Sequence, residues 1–258
     1  MKVSLIIVLV ALSSCGKFRF FKKSSQEKQN ISKIYASGKL TVAVFYEEGA
    51  EPFTDIVTTA PGMPAVKMWD ILEVNLKAMF PGKTITVPKD LAQMAKLSDQ
   101  NQASWTNSEL HSMGMAQGQT SLGDTTVFNV FFLKGFAESG TSVIGLHLSG
   151  TKTIAIFKEV VVASAPSPAE AATQRYIEQA TLVHEIGHAV GLVNNGLPMT
   201  SSHEDTGHRA HCNNPDCVMY WKNEGTDDLT TYITNHLLKL NPIMLDSACL
   251  SDVTSYKE

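Results

Sequence analysis

The sequence predicts a mixed α/β fold of the α+β kind: a twisted mixed sheet beside one long helix, followed by a small, mainly helical C-terminal part. Three observations carry this reading. Lys39 to Tyr46 is a nearly continuous β-branched and aromatic run, the pattern of a strand buried on both faces. A helical pattern and a second strand follow it directly, which suits a layered strand-helix-strand unit. Further on, a long run from Ser167 to Leu192 has helical spacing and a capped start.

Size and charge set the outer bounds. The chain has 258 residues, 43% hydrophobic and 18% charged, enough to bury the core of one domain. A formal net charge of -4 offers no basic field for nucleic acid, so no nucleic-acid partner is expected.

At the N-terminus, Met1-Lys2 is a short positive region, and Leu5 to Leu12 is an apolar run too short to span a bilayer. Leu12-Ser13-Ser14-Cys15 then places small residues before a cysteine. This resembles the lipobox of bacterial lipoproteins, which implies cleavage before Cys15 and a lipid on that cysteine. Residues 1–14 are thus expected to be a signal peptide and 15–30 a tether, with the membrane as a partner and the mature chain exported to the cell envelope. Outside the cytosol the remaining cysteines, Cys212, Cys217 and Cys249, are read for an oxidising compartment. One disulfide plus a free thiol is the simplest accounting; Cys212 with Cys217 is the local pair, and Cys249 is an alternative to either.

The folded part, residues 31–258, is expected to begin near Ile31. After the first strand, Glu47 to Gly62 reads as loop. Pro64 to Phe80 has Val66, Trp69, Ile71, Leu72, Leu76 and Met79 at near-helical spacing and stops at Pro81-Gly82. Lys83 to Val87 reads as a strand, and helices are expected near Leu91 to Leu97 and Ser104 to Ala116. His111, alone on the second of these, is set aside as structural. Thr125 to Phe136 is a strong strand; Val143 to Leu148 and Thr153 to Val162 are two more, joined at Ser149-Gly150. Which strand forms the exposed edge is left open. Ser167-Pro168-Ala169-Glu170 has the form of a capping box with proline in the first turn. Asn194-Asn195-Gly196 ends the long helix, and Asp227 to Leu240 supplies a C-terminal one that stops at Asn241-Pro242.

The chemistry lies between Thr181 and Tyr220. His184 and His188, four residues apart on a helix, project from one face, so two imidazoles can grip one metal ion. Glu185 beside them can take a proton from a metal-bound water, as in the H-E-x-x-H arrangement of zinc hydrolases. A catalytic zinc needs a third protein ligand. Gly191 permits a sharp turn after the helix, but Asn194 occupies the position where a contiguous H-E-x-x-H-x-x-G-x-x-H pattern has its last histidine. Three histidines follow, His203, His208 and His211, and Glu204 is a further carboxylate. A second metal among His203, Asp205 and His208 is an alternative use of this loop.

The ending H-C-x4-C-x-M, formed by His211, Cys212, Cys217 and Met219, is similar to that of the archaemetzincins, with an insertion between Gly191 and His211. The resemblance covers about Ala180 to Trp221. It implies a metzincin-like zinc metallopeptidase with one catalytic zinc held by His184, His188 and His211, Glu185 as general base, and Met219 as a hydrophobic floor beneath the metal. It implies a peptide or protein substrate, cleaved by an endopeptidase or aminopeptidase. The family also has a second, structural zinc on four cysteines; this chain lacks the further C-x-x-C, so a Cys212–Cys217 disulfide is expected in its place. Tyr220 is either an oxyanion donor or a packing residue. The competing reading is a surface lipoprotein whose metal is structural or whose site is vestigial, acting as a partner-binding module.

Overall fold

A computed structural model describes residues 25–58, 65–167, 171–224, 226–237 and 241–256. The expected signal peptide and lipid site at Cys15 lie outside these residues, as does the Pro168–Glu170 portion of the capping box.

The sheet is built around β1 (Lys39–Glu47), whose residues from Val42 onward are buried on both faces. It pairs in parallel with β7 (Thr125–Leu133) along nearly its whole length, from Lys39 opposite Thr125 to Tyr46 opposite Phe132. On its other side β4 (Thr84–Thr86) and β5 (Ala95–Leu97) cover its two ends, both parallel. Beyond β7 lies β10 (Thr153–Phe157), parallel, and then β9 (Gly145–His147), antiparallel. The order β4-β1-β7-β10-β9 makes β9 an edge. Its Ile154↔His147 register explains the sharp return at Ser149-Gly150, where Gly150 takes φ +77°. The mixed α/β architecture expected from the sequence is present.

Short pieces complete the layer. β2 (Ile56–Val57), inside the region read as loop, pairs with β3 (Val66–Lys67), inside the stretch read as helix, and β6 (Ser104–Trp105) pairs with β8 (Phe136–Ala137). The first expected interrupted helix is a 3-10 turn at Leu91–Gln93 leading into β5, because tertiary pairing to β1 outweighs its local pattern. The second is α3 (Asn107–Gln117), started by a capping box between Thr106 and Glu109. The strand expected over Thr153 to Val162 stops at Phe157; Lys158 to Ala163 forms α4 instead, since this β-branched stretch packs against the long helix rather than extending the sheet. Upstream, the chain is helical from α1 (Ser25–Ala36), before Ile31, because Ile31 and Ile34 both enter the core.

α2 (Met68–Met79) and α5 (Ala171–Val190) pack together, and α5 also touches β9 and β10. α5 is buried on nearly every side from Tyr176 to Val190. Such a helix is normally apolar all round, so its polar residues need partners or a function. Glu178 finds three: the Lys158 ammonium in a buried pair, the Phe53 amide at 2.8 Å, and the electrostatic field of Arg175. The Lys158 ammonium also lies 3.2 Å over the Phe53 ring. Burial pushes the Glu178 carboxyl up and the Lys158 ammonium down, with their mutual attraction opposing both shifts.

The C-terminal part comprises α6 (Thr226–Leu237) and α7 (Ser247–Ser255). α7 is absent from the sequence reading, although Asp246 caps it through the Cys249 amide at 2.8 Å. Asn75, buried on α2, accepts from the Met244 amide and donates to the Pro242 carbonyl, so this part is tied back onto the α2 layer.

Candidate metal centre

α5 presents His184 and His188 one turn apart, with Nε2 atoms 3.0 Å from each other. Downstream of Val190 the chain reverses through Gly191 at φ +91° and then two left-handed non-glycine residues, Val193 and Asn194. The Leu192 and Val193 side chains are buried by this reversal, which offsets its backbone cost.

The returning loop pairs with itself. Asp205 N donates to His211 O at 2.8 Å and Asn213 N to His203 O at 2.8 Å, so 203–205 runs antiparallel to 211–213. Glu204 braces the arrangement: one carboxylate oxygen accepts from Asn194 Nδ2 at 3.2 Å and the other from the Ala210 amide at 3.1 Å. Asn194 therefore ties the helix end to the loop, and Glu204 is engaged away from the histidine cluster. Ala210 takes φ +66°, turning His211 toward α5.

His211 completes a triad. The rings of His184, His188 and His211 lie 4.7, 5.4 and 4.9 Å apart, and their ligand atoms all fall within 4.8 Å of one another. His184 Nδ1 donates to the Val218 carbonyl at 2.7 Å and His211 Nδ1 to the Arg209 carbonyl at 3.0 Å. Both bonds set the tautomer that leaves Nε2 with its lone pair facing the centre. Two Nε2 lone pairs 3.0 Å apart repel unless a proton or cation lies between them, and a tetrahedral zinc with bonds of about 2.0 Å spaces nitrogen ligands by about 3.3 Å. The donor set therefore fits zinc.

Of the other histidines, His208 stacks on Trp221 with ring centroids 3.7 Å apart and faces Asp205. His203 points away from the triad, to Asp252 at 2.7 Å. His203, Asp205 and His208 do not converge on a common point among the described residues, which corrects the alternative of a metal in that loop.

Met219 lies fully buried in a turn closed by Tyr220 N to Cys217 O at 3.0 Å. A Cβ added to Gly187 would overlap its sulfur, so the methionine presses against the helix between the two histidines. Tyr220 is not among the residues lining the cleft in front of the triad. That cleft has a volume of about 420 Å³ and is lined by Glu185, His188, His211, Asn195 and the edge residues Gly145 and His147. Asn195, Gly145 and His147 were not legible as site residues, because a cleft wall is assembled from distant segments.

The cysteines depart from expectation. Cys212, Cys217 and Cys249 are all free and buried, and no Cys212–Cys217 disulfide exists. The Cys217 and Cys249 sulfurs stand 3.6 Å apart, well beyond the bonded distance of about 2.0 Å. Hydrogen bonds from the Cys217 and Cys249 thiols hold Cys212 far below the usual thiol range, while burial pushes Cys217 up.

No protein-family model matches the chain, and no curated protein matches it. Solved structures do. An archaemetzincin from Methanopyrus kandleri shares 12% identity and superposes with a TM-score of 0.46, over 84% of this chain and 95% of that one. A zinc-dependent peptidase from Methanocorpusculum labreanum gives 12% and 0.44, over 82% and 99%. An archaemetzincin from Archaeoglobus fulgidus, in complex with malonate, gives 15% and 0.43, over 83% and 99%.

Proposed function

We propose that this chain is a zinc-dependent peptidase of metzincin type. The observation that supports it is the convergence of three imidazoles beside a buried carboxylate, Glu185, on one open cleft. His184, His188 and His211 would hold the zinc. Zinc bound there supplies a Lewis acid and lowers the pKa of a bound water toward neutrality.

The remaining steps belong to the protein. Glu185, one residue from the first ligand and lining the cleft, takes the proton of the attacking water and passes it to the leaving amine. Among the described residues β9 pairs only with β10 within the sheet, so its outer edge offers main-chain donors and acceptors to an extended peptide. Strand addition would lay the scissile bond across the cleft. A purely structural site has no need of a general base on an open face, which favours hydrolysis over a binding module.

The test is Glu185→Gln in the zinc-loaded chain, assayed on a peptide library with free and with acetylated N-termini. Zinc content is expected to stay constant while turnover falls by about 10²–10⁴-fold, the usual worth of a general base. Cleavage of acetylated peptides marks an endopeptidase, and cleavage of free N-termini alone an aminopeptidase. No cleavage by the parent chain, with zinc bound, supports the partner-binding reading.

Export and lipid anchoring at Cys15 belong to the same proposal, supported by the Leu12–Cys15 motif. Metabolic palmitate labelling that survives Cys15→Ala would overturn them.

A further inference from the structure

Charge is divided along the chain in a way the peptidase reading does not use. Residues 15–39 hold seven lysines and arginines against one acidic residue, Glu27, whereas residues 40–258 hold 13 against 24. The net charge of -4 therefore conceals a basic N-terminal end on an acidic body. The described part of that end is α1, and it is folded onto the domain. Ile31 and Ile34 enter the core, while Lys28, Gln29, Ser32 and Lys33 are exposed on the other side of the helix.

The lysines at this end differ from the others in what they touch. Lys67, Lys77, Lys89, Lys96, Lys134 and Lys158 each pair with a carboxylate. Among the described residues Lys28, Lys33 and Lys152 make no ion pair. Partial burial, and then repulsion from Lys33, hold the Lys152 ammonium below the usual lysine range. The acidic groups beside α1 are Glu27, whose side chain packs on Gly150, and Asp124, whose carboxylate accepts from the Gly38 amide just past the helix. Like charges gathered without a counter-charge repel, and a surface that supplies anions relieves the repulsion.

The place of the helix matters as much as its charge. Asn30 Nδ2 donates to the Gly150 carbonyl, so α1 is moored to the turn that joins β9 to β10. Ser149, the neighbouring residue of that turn, lines the cleft in front of the triad. Lys152 lies just beyond the same turn, so the unpaired lysines border one end of the cleft.

We propose that the exposed side of α1, with Lys28 and Lys33, forms together with Lys152 a docking surface for a bilayer rich in anionic phospholipid, and that docking sets the Ser149 end of the cleft against the membrane. Two facts argue for this occupant. The charge is complementary, and the basic run 17–23 lies directly upstream of α1 in the chain, so both meet the same leaflet. Each basic residue held at an anionic leaflet adds an attraction that falls off within a Debye length. The inference rests on the export and lipid-anchoring reading, which puts a bilayer beside this chain.

The experiment is lysine footprinting by acylation and mass spectrometry on the full chain made without lipid. It is run with vesicles of phosphatidylcholine alone and of phosphatidylcholine mixed with phosphatidylglycerol. With the anionic vesicles Lys28, Lys33 and Lys152 are expected to lose most of their reactivity. Lys96, at the far end of β1, and Lys67, just before α2, should keep theirs. Lys28→Glu with Lys33→Glu should leave the melting temperature unchanged and lower partition into anionic vesicles at least about tenfold. Lys67→Glu with Lys96→Glu makes the same change of net charge and should lower it about twofold at most. Equal protection by neutral vesicles or by free glycerol phosphate overturns the surface. So does protection confined to Lys17, Lys22 and Lys23, or an equal loss of partition by the two double variants. Neither labelling at Cys15 nor peptide turnover enters the readout, so failure here leaves the anchoring and peptidase readings standing.

Discussion

The histidine cluster and the cysteine cluster share a single short segment, Arg209 to Tyr220, yet face opposite ways. His211 faces an open cleft beside Glu185, whereas Cys212, the next residue, faces a buried interior beside His203 and Asp246. One strand-like segment with side chains alternating between faces produces both environments. An open cluster with a carboxylate beside it is accessible to ligands, whereas a closed one joins chain segments by packing.

The comparison breaks most visibly at Cys249. Cys249→Ser is expected to cost on the order of 2 kcal/mol, since it puts a hydroxyl among the buried sulfurs that join α7 to the Met219 turn. Thermal denaturation measures the loss. A change at the open site, His188→Ala, should abolish turnover while shifting the melting temperature much less. Equal destabilisation by the two variants would erase the distinction.

The next effect concerns what holds the open site rigid. Lys158→Met leaves Glu178 buried without its cation, and about 3 kcal/mol of stability should be lost. Denaturant unfolding measures it; a neutral result would mean that metal binding, and not the packing of α5, supports the triad.

Gly187→Ala places a methyl group against the Met219 sulfur and should cost about 1–3 kcal/mol, with weaker zinc retention at the triad. Combining it with Met219→Ala should recover part of the loss. Glu204→Gln is the mildest change. It weakens the bonds to Asn194 and Ala210 by about 1 kcal/mol, and faster zinc release from the triad, followed with a chromogenic chelator, is the expected sign.

Much of the architecture was legible in local pattern. β1, β7 and α2 were readable because their apolar periodicity agrees with their burial. α4 was misread because Val160, Val161 and Val162 favour a strand in isolation, while packing on α5 decides for helix. α7 carried a readable signal, Asp246 three residues before Cys249, that a short amphipathic segment makes easy to overlook.

The sequence by itself determined whatever depends on spacing along one helix: His184, Glu185 and His188 are placed by 3.6 residues per turn wherever the helix sits. The resemblance of the H-C-x4-C-x-M ending to that of the archaemetzincins pointed to His211 but left His203 and His208 open. Only the tertiary structure decided the rest. Which histidine of the inserted loop joins the triad depends on the antiparallel pairing of 203–205 with 211–213 and on the left-handed turns at Val193, Asn194 and Ala210. Which strand borders the cleft depends on sheet order, and which cysteines meet depends on where α7 docks. These are contacts between distant segments, and their free energies come from packing that no local window of sequence contains.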